Sequence, residues 1–322
     1  MMCVLLPGLF RKPYVGHLVF PRATMLYKHD EEYLSSVYND LWRNPDKIKR
    51  AGDDLFLGWH FGYYDKDTRS SRQAMHRMNT YVDSLLGLDE GPAAVLDVGC
   101  GMGGTALSIA KAHPQAMVSG IALGASEVAL ARRLQEQQGL RNVSFSQQSF
   151  LSTSFPAGSF NVVYALESVS HGADDVAFFA EMRRILKPSG RLIILDIFPR
   201  TYHTGFARMI KTRIFHNGEE QSQRTIHSFH QALLDGGFTV SSMTDLNKQR
   251  HIKRLLVTTI GLIALDLYTE TKRKIQKKTA PTVLLLARFA TLYFLCTVSY
   301  LTLRFGYFAI TAEKTKDFTK KQ

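Results

Sequence analysis

Between a short apolar segment and a helical one, this chain places four glycines within six residues, in the run Asp97-Val98-Gly99-Cys100-Gly101-Met102-Gly103-Gly104. The preceding residues 93–101, AAVLDVGCG, read as a strand, and residues 104–113, GTALSIAKAH, read as a helix. Glycine tolerates positive φ and lets a ligand approach the main chain. The helix that follows offers unpaired N–H groups. A crevice at the carboxyl end of a first strand is where α/β sheets bind ligands. The dinucleotide fingerprint GxGxxG is the rival pattern. Here the spacing is DxGxGxG, and an acid ahead of the turn would repel a pyrophosphate. It suits a ligand that carries an ammonium group.

The rest of the chain alternates strand and helix. Strands are expected at 116–123, 143–148, 159–168, 191–198, 239–246 and 304–314. Helices are expected at 126–138, with Ser126 as N-cap, at 176–186, stopped by Pro188 and Gly190, and at 225–238. This predicts an α/β fold, Rossmann-like and doubly wound, with a mostly parallel seven-stranded sheet. Upstream, apolar spacing at Leu34, Val37, Leu41 and Ile48 predicts a helix over 31–53. Met75, Met78, Val82 and Leu85 predict one over 69–88. Residues 56–65, FLGWHFGYYD, are aromatic and broken by Gly58 and Gly62, so they read as a loop. The organisation read from this is an N-terminal helical cap at 1–88, a cofactor-binding core at 89–249, a helical lid or membrane-facing insertion at 250–303, and a last strand with a polar tail at 304–322. A long insertion before a final strand is a place for a substrate lid.

Composition narrows the class. The 322 residues are 45% apolar and 21% charged, enough for a sizeable core. The net charge of +12 is uneven. Lys248, Arg250, Lys253 and Arg254 form one cluster, and Lys272, Arg273, Lys274, Lys277 and Lys278 another. Such clusters attract nucleic acid, anionic lipid or a phosphorylated small molecule, and an ordinary solvated helix face looks the same. Three cysteines without CxxC spacing argue against a disulfide framework and a zinc site, and fit a reducing, cytoplasmic setting. The opening MMCVLLPGLFRKP lacks the basic region and cleavage site of a secretory signal. Residues 283–303 are long and apolar enough to span a membrane, but Arg288 and several Thr, Ser and Tyr interrupt them. They read instead as a buried or membrane-surface helix, so peripheral membrane contact is expected.

VLDVGCGMGGTALSIA resembles motif I of the class I S-adenosylmethionine-dependent methyltransferases, and especially the sterol, tocopherol and related C-methyltransferase group, which includes enzymes acting on prenyl diphosphates. The resemblance runs from about Tyr33 to Leu246. FLGWHFGYYD is similar to that group's HFGYY loop, GIALGASEVALARR to its GITLSPxQxxRA segment, and SFPAGSFNVVYALESVSH to its PFPDxSFDVVWxLESxEH segment. RRILKPSGRLIILDIF is similar to its RVLKPGGRLLIADW strand. The resemblance implies S-adenosyl-L-methionine as cofactor. It places Asp97, Gly99, Cys100, Gly101 and Gly103 around the methionine half, and Ile121, Ala122 and Leu123 at the ribose and adenine edge. Gln148, Ser149 and Phe150 fall beside the adenine. Leu166 and Glu167 floor the methyl-transfer site, and Tyr63 or Tyr64 caps the methionine end. Two positions depart from common patterns. Ala122 stands where many methyltransferases carry a ribose-binding acid, and Ser149 stands where the family usually has Asp.

A sulfonium methyl is already an electrophile, so the protein's task is alignment and exclusion of water. Methyl addition to an alkene leaves a carbocation, which needs π faces and then a base. Trp59, Phe61, Tyr63 and Tyr64 supply faces within one loop. Phe56, His60, Phe198, Tyr202 and His203 are candidates for the pocket wall. Glu167 and His171 are candidate bases, with Tyr64 beside them. The apolar insertion together with Lys253 and Arg254 points to an apolar chain bearing an anionic head, as in farnesyl diphosphate. Mg2+ would then accompany the diphosphate, with no metal site on the protein itself. A nucleic-acid substrate is not expected, because ALES at 165–168 stands where an NPPY-like tetrad for a flipped base would fall. An O- or N-methyltransferase, and a sterol- or tocopherol-type C-methyltransferase, are the alternatives. The sequence leaves the oligomeric state open.

Overall fold

A computed structural model describes residues 60–88, 91–169, 174–201, 224–247 and 305–316, together with Ser35 and Asn39. The remainder of the 31–53 helix, both basic clusters, the lid at 250–303 and the apolar run at 283–303 lie outside the described residues.

Helix α1 (Ser71–Leu86) is followed by β1 (Ala94–Val98), α2 (Gly104–Ala112), β2 (Met117–Ala122), α3 (Ala125–Gln138), β3 (Val143–Gln147) and β4 (Phe160–Leu166). Then come α4 (Asp175–Ile185), β5 (Leu186–Pro199), α5 (Ile226–Asp235), β6 (Phe238–Asp245) and β7 (Phe305–Lys314). The seven strands form one sheet in the order β3-β2-β1-β4-β5-β7-β6. The first five pair in parallel, and β7 runs antiparallel to both β5 and β6. The mostly parallel, seven-stranded, doubly wound expectation matches this sheet.

Alternation along β1 explains the two layers. Val95 packs with α1, α2 and α3 on one face, while Leu96 and Val98 pack with α4 and α5 on the other. Burial on both faces is why the central strands read as continuous apolar runs. Asp97 has the parity of Val95, so it faces the side covered by the first three helices.

Two expectations change. Helix α3 begins at Ala125, and its N-cap is Gly124, which has no side chain to give; Ser126 is not the cap. The Ser126 amide donates instead to Asn39 Oδ1 at 3.0 Å, so a side chain from the N-terminal segment satisfies that helix end. Phe198, expected in the pocket wall, is buried in the opposite layer and stacks on Phe229 at 4.5 Å. Its parity along β5 sends it there.

Candidate active site

Each glycine of the turn meets a different neighbour. Gly99 (φ 82°), Gly101 (φ 52°) and Gly103 (φ 80°) all lie in the left-handed region. A Cβ on Gly99 would come within 2.2 Å of Ser168 Cβ, and one on Gly103 within 2.6 Å of the Phe145 ring. These two are required by packing. A Cβ on Gly101 would meet only Glu127 Oε1, at 3.8 Å. Gly101 is therefore where the backbone stands open to a ligand. The amides of Gly99 and Cys100 both donate to the Ile121 carbonyl at 2.9 Å, which ties the turn to the end of β2.

Two acids flank this opening. Asp97 is buried beneath the turn, and its Oδ2 accepts from the Tyr164 hydroxyl at 2.7 Å. Burial pushes its carboxyl up to about 7, against the lowering effect of that hydroxyl. Glu127, in the first turn of α3, is also buried and is likewise pushed up to about 7, against a hydrogen bond from the Gly124 backbone. Burial and the nearness of both acids hold the Cys100 thiol well above its ordinary range, so it is no nucleophile. A turn lined by two carboxyls disfavours a pyrophosphate and accepts a cation. Adenosylmethionine, with its ammonium and sulfonium, fits this donor set. Glu127 was missed in the sequence reading. Its signal was an acid in the first turn of the helix after β2, five residues beyond Ala122, where a ribose-binding acid is usually sought.

Across the sheet, Glu167 follows β4 with a φ of 53°, a conformation that non-glycine residues seldom adopt. Its amide donates to the Leu195 carbonyl at 2.8 Å. Its Oε1 accepts from the Phe61 amide and from the Tyr307 hydroxyl, both at 2.9 Å. Phe61 lies edge-on to Tyr307, with ring centroids 6.5 Å apart. Ser168 donates to the Val98 carbonyl at 2.6 Å and so brings the segment after β4 against the glycine turn.

The aromatic loop is held from α1. The Tyr63 amide donates to the Ala74 carbonyl at 2.8 Å, and the Tyr63 ring stacks on Tyr81 at 5.0 Å. The Gly62 amide donates to His60 Nδ1 at 3.2 Å, which assigns the ring proton to Nε2. Nε2 lies 3.1 Å from Asn79 Oδ1, and the same oxygen accepts from Thr105 at 2.9 Å. Buried Asn79 thus joins the loop to the helix that leaves the glycine turn. Tyr64 is half-buried beside Tyr63.

At the positions expected to face the adenine, the Leu123 carbonyl accepts from Ser35 Oγ at 3.0 Å, and Ala122 is buried. Gln148 Oε1 accepts from the Ser154 amide at 2.7 Å, and its Nε2 donates to Ser146 at 2.8 Å, so both ends serve the local turn. Ser149 Oγ accepts from the Leu151 amide at 3.0 Å, and Phe150 lies edge-on to Phe178. The structure thus gathers Asp97, the glycines, Ile121, Leu166, Glu167 and residues 60–64 at the carboxyl ends of β1, β2 and β4. Phe56, Trp59, His171, Tyr202, His203, Lys253 and Arg254 lie outside the described residues. Among the described residues, no group of three or more His, Cys, Asp or Glu is placed to hold a metal ion, and no helix is long and apolar enough to cross a membrane.

Residues 95–190 match the family described as a methyltransferase domain. The chain is 30% identical over 178 residues to the methyltransferase phqN of Penicillium fellutanum, covering 54% of each protein. It is 37% identical over 173 residues to a sterol 24-C-methyltransferase of Gibberella zeae, covering 51% of this chain and 45% of that one. It therefore spans about half the length of these curated relatives. Among solved structures, geranyl diphosphate C-methyltransferase of Streptomyces coelicolor, in complex with Mg2+, geranyl diphosphate and S-adenosyl-L-homocysteine, superposes with a TM-score of 0.62. That match has 16% identity and covers 87% of this chain and 97% of the other, a likeness of fold.

Proposed function

We propose that this chain, which has the class I S-adenosylmethionine-dependent methyltransferase fold and a methyltransferase domain at residues 95–190, methylates a carbon of an apolar isoprenoid. The substrate class is a prenyl diphosphate such as farnesyl diphosphate. The observation that carries this reading is Glu167, a carboxylate held in an unusual backbone conformation beside the rings of Phe61 and Tyr307. An acid among aromatic faces suits a cation that forms and then loses a proton. The sterol C-methyltransferase relative and the geranyl diphosphate neighbour point to the same kind of acceptor.

Bound adenosylmethionine supplies an activated methyl group. Asp97 and the Gly101 backbone would hold its amino-acid end, and Glu127 its ribose hydroxyls, in place of the acid missing at Ala122. The loop at 60–64 closes over the site and excludes water. Transfer of that methyl to the alkene would break its bond to sulfur, release S-adenosylhomocysteine and leave a cation on the neighbouring carbon. The ring of Phe61 would face that charge, and Glu167 takes the proton that restores an alkene, or the cation first closes a ring. Mg2+ would be held by the substrate diphosphate, with Lys253 and Arg254 as further cations and the 250–303 insertion as its apolar cover.

The test is incubation with methyl-labelled adenosylmethionine and a panel of prenyl diphosphates, sterols, phenols and amines, with products read by mass spectrometry. Label in a hydrocarbon skeleton is expected. Label confined to an ether or an amine would replace this reading with the O- or N-methyltransferase one.

A further inference from the structure

We propose that Tyr307, on the last strand, is a positioning residue for Glu167 and sets both its orientation and its acidity. The proposal rests on the functional reading above only in making Glu167 the proton acceptor. The geometry stands apart from it. Tyr307 pairs in register with Ile197 of β5, and its side chain is wholly buried among the layer that packs on α1 and α2. Its hydroxyl reaches Glu167 Oε1 at 2.9 Å, joining residues 140 apart in sequence. The Phe61 amide meets the same oxygen at 2.9 Å.

Two donors on one oxygen do two things. They fix the rotation of the carboxylate, and they favour its charged form over the neutral acid. One donor sits on a rigid strand, and the other belongs to the aromatic loop. Tyr307 is therefore the strand's half of the cradle, and Phe61 the loop's half. Glu167 also carries a strained φ of 53°. Such a conformation is strained and persists only where surrounding contacts over-determine it. The Tyr307 and Leu195 bonds are contacts of that kind.

Tyr307→Phe keeps the ring in its packing and removes only the donor. The side-chain carboxyl of Glu167 can be titrated by carbon-13 NMR, assigned by its loss in Glu167→Gln. The midpoint is expected to rise by about one pH unit in Tyr307→Phe. With 3-fluorotyrosine at position 307, whose hydroxyl is a stronger donor, it should fall. Should Tyr307→Phe fail to fold, the fluorotyrosine protein decides alone. A midpoint that ignores both changes overturns the proposal. In methyl-transfer assays, the acid limb of the kcat profile should move with the titration, which a packing defect would not produce. Calorimetry with adenosylmethionine on the wild-type protein separates the two claims. Absence of binding would sink the functional reading, while the titration would still decide the role of Tyr307.

Discussion

Ser168 occupies the space that any side chain at Gly99 would need, and its hydroxyl is bonded to the Val98 carbonyl one residue earlier. The most recognisable glycine of the turn is thus required by a protein contact. Gly101, two residues on, has no such neighbour. The pair separates folding from ligand approach within one motif.

Gly99→Ala should therefore damage the fold. A 2.2 Å approach to Ser168 Cβ cannot be relieved without moving the segment after β4, and the positive φ adds strain. A large drop in Tm is expected. Gly101→Ala carries only the φ strain, about 1 kcal/mol, so Tm should fall by a few degrees while adenosylmethionine binding is lost. Thermal unfolding and calorimetry on both variants check this. Equal Tm losses would refute the division of roles.

Asn79→Ala removes the acceptor shared by His60 and Thr105. Asn79 is buried, so the donors it leaves behind are poorly placed to find water. Each unsatisfied donor costs about 1–3 kcal/mol. A loss of stability on the order of 2–4 kcal/mol is expected, together with a raised KM for adenosylmethionine, because the aromatic loop loses its tie to α2. Chemical denaturation and initial-rate kinetics measure the two effects.

Glu127 gives a separate test of cofactor contact. Hydrogen bonds to a charged group contribute roughly 1.5–3 kcal/mol. Glu127→Ala should therefore weaken adenosylmethionine binding by about 10-fold to 100-fold, and Glu127→Gln by only a few-fold, since an amide oxygen still accepts. Calorimetry distinguishes them. Unchanged affinity in Glu127→Ala would remove this residue from the site.

Much of this was readable from residue order. The strands at β1, β2 and β4 and the turn between Asp97 and Gly104 follow from apolar period and glycine spacing, whereas the placement of Glu167 was implied by the family resemblance. The partners of those residues do not, because they arise from register. Tyr164 meets Asp97 because β4 pairs with β1 in parallel with that alignment. Tyr307 meets Glu167 because a strand far downstream inserts antiparallel beside β5. Phe198 was misplaced for the same reason. Its composition suits a pocket, but its position on β5 turns it into the other layer, against Phe229. Ser126 looked like a cap, but the amide it offered is satisfied by Asn39 of a distant segment.

The two buried acids predict an unusual pH dependence. Asp97 and Glu127 have ordinary values of 3.8 and 4.5, and both are pushed to about 7 in the folded protein, chiefly by burial. Between those limits the folded state holds protons that the unfolded chain has released. Raising the pH then draws the equilibrium toward unfolding, so the stability these groups allow is full below about pH 4 and declines until about pH 7, where it levels. Other carboxylates act in the opposite sense in acid, so the comparison must be with a variant. The Asp97→Asn, Glu127→Gln double variant should gain in Tm over the wild type as pH rises from about 5 to about 8. Adenosylmethionine should reduce the wild-type slope, because a cation beside Asp97 favours its charged form. Binding at neutral pH should accordingly release protons, measurable by calorimetry in buffers of different ionisation enthalpy, and Asp97→Asn should release fewer. Wild-type and variant Tm curves that stay parallel across this range would show that neither acid is held in the environment described.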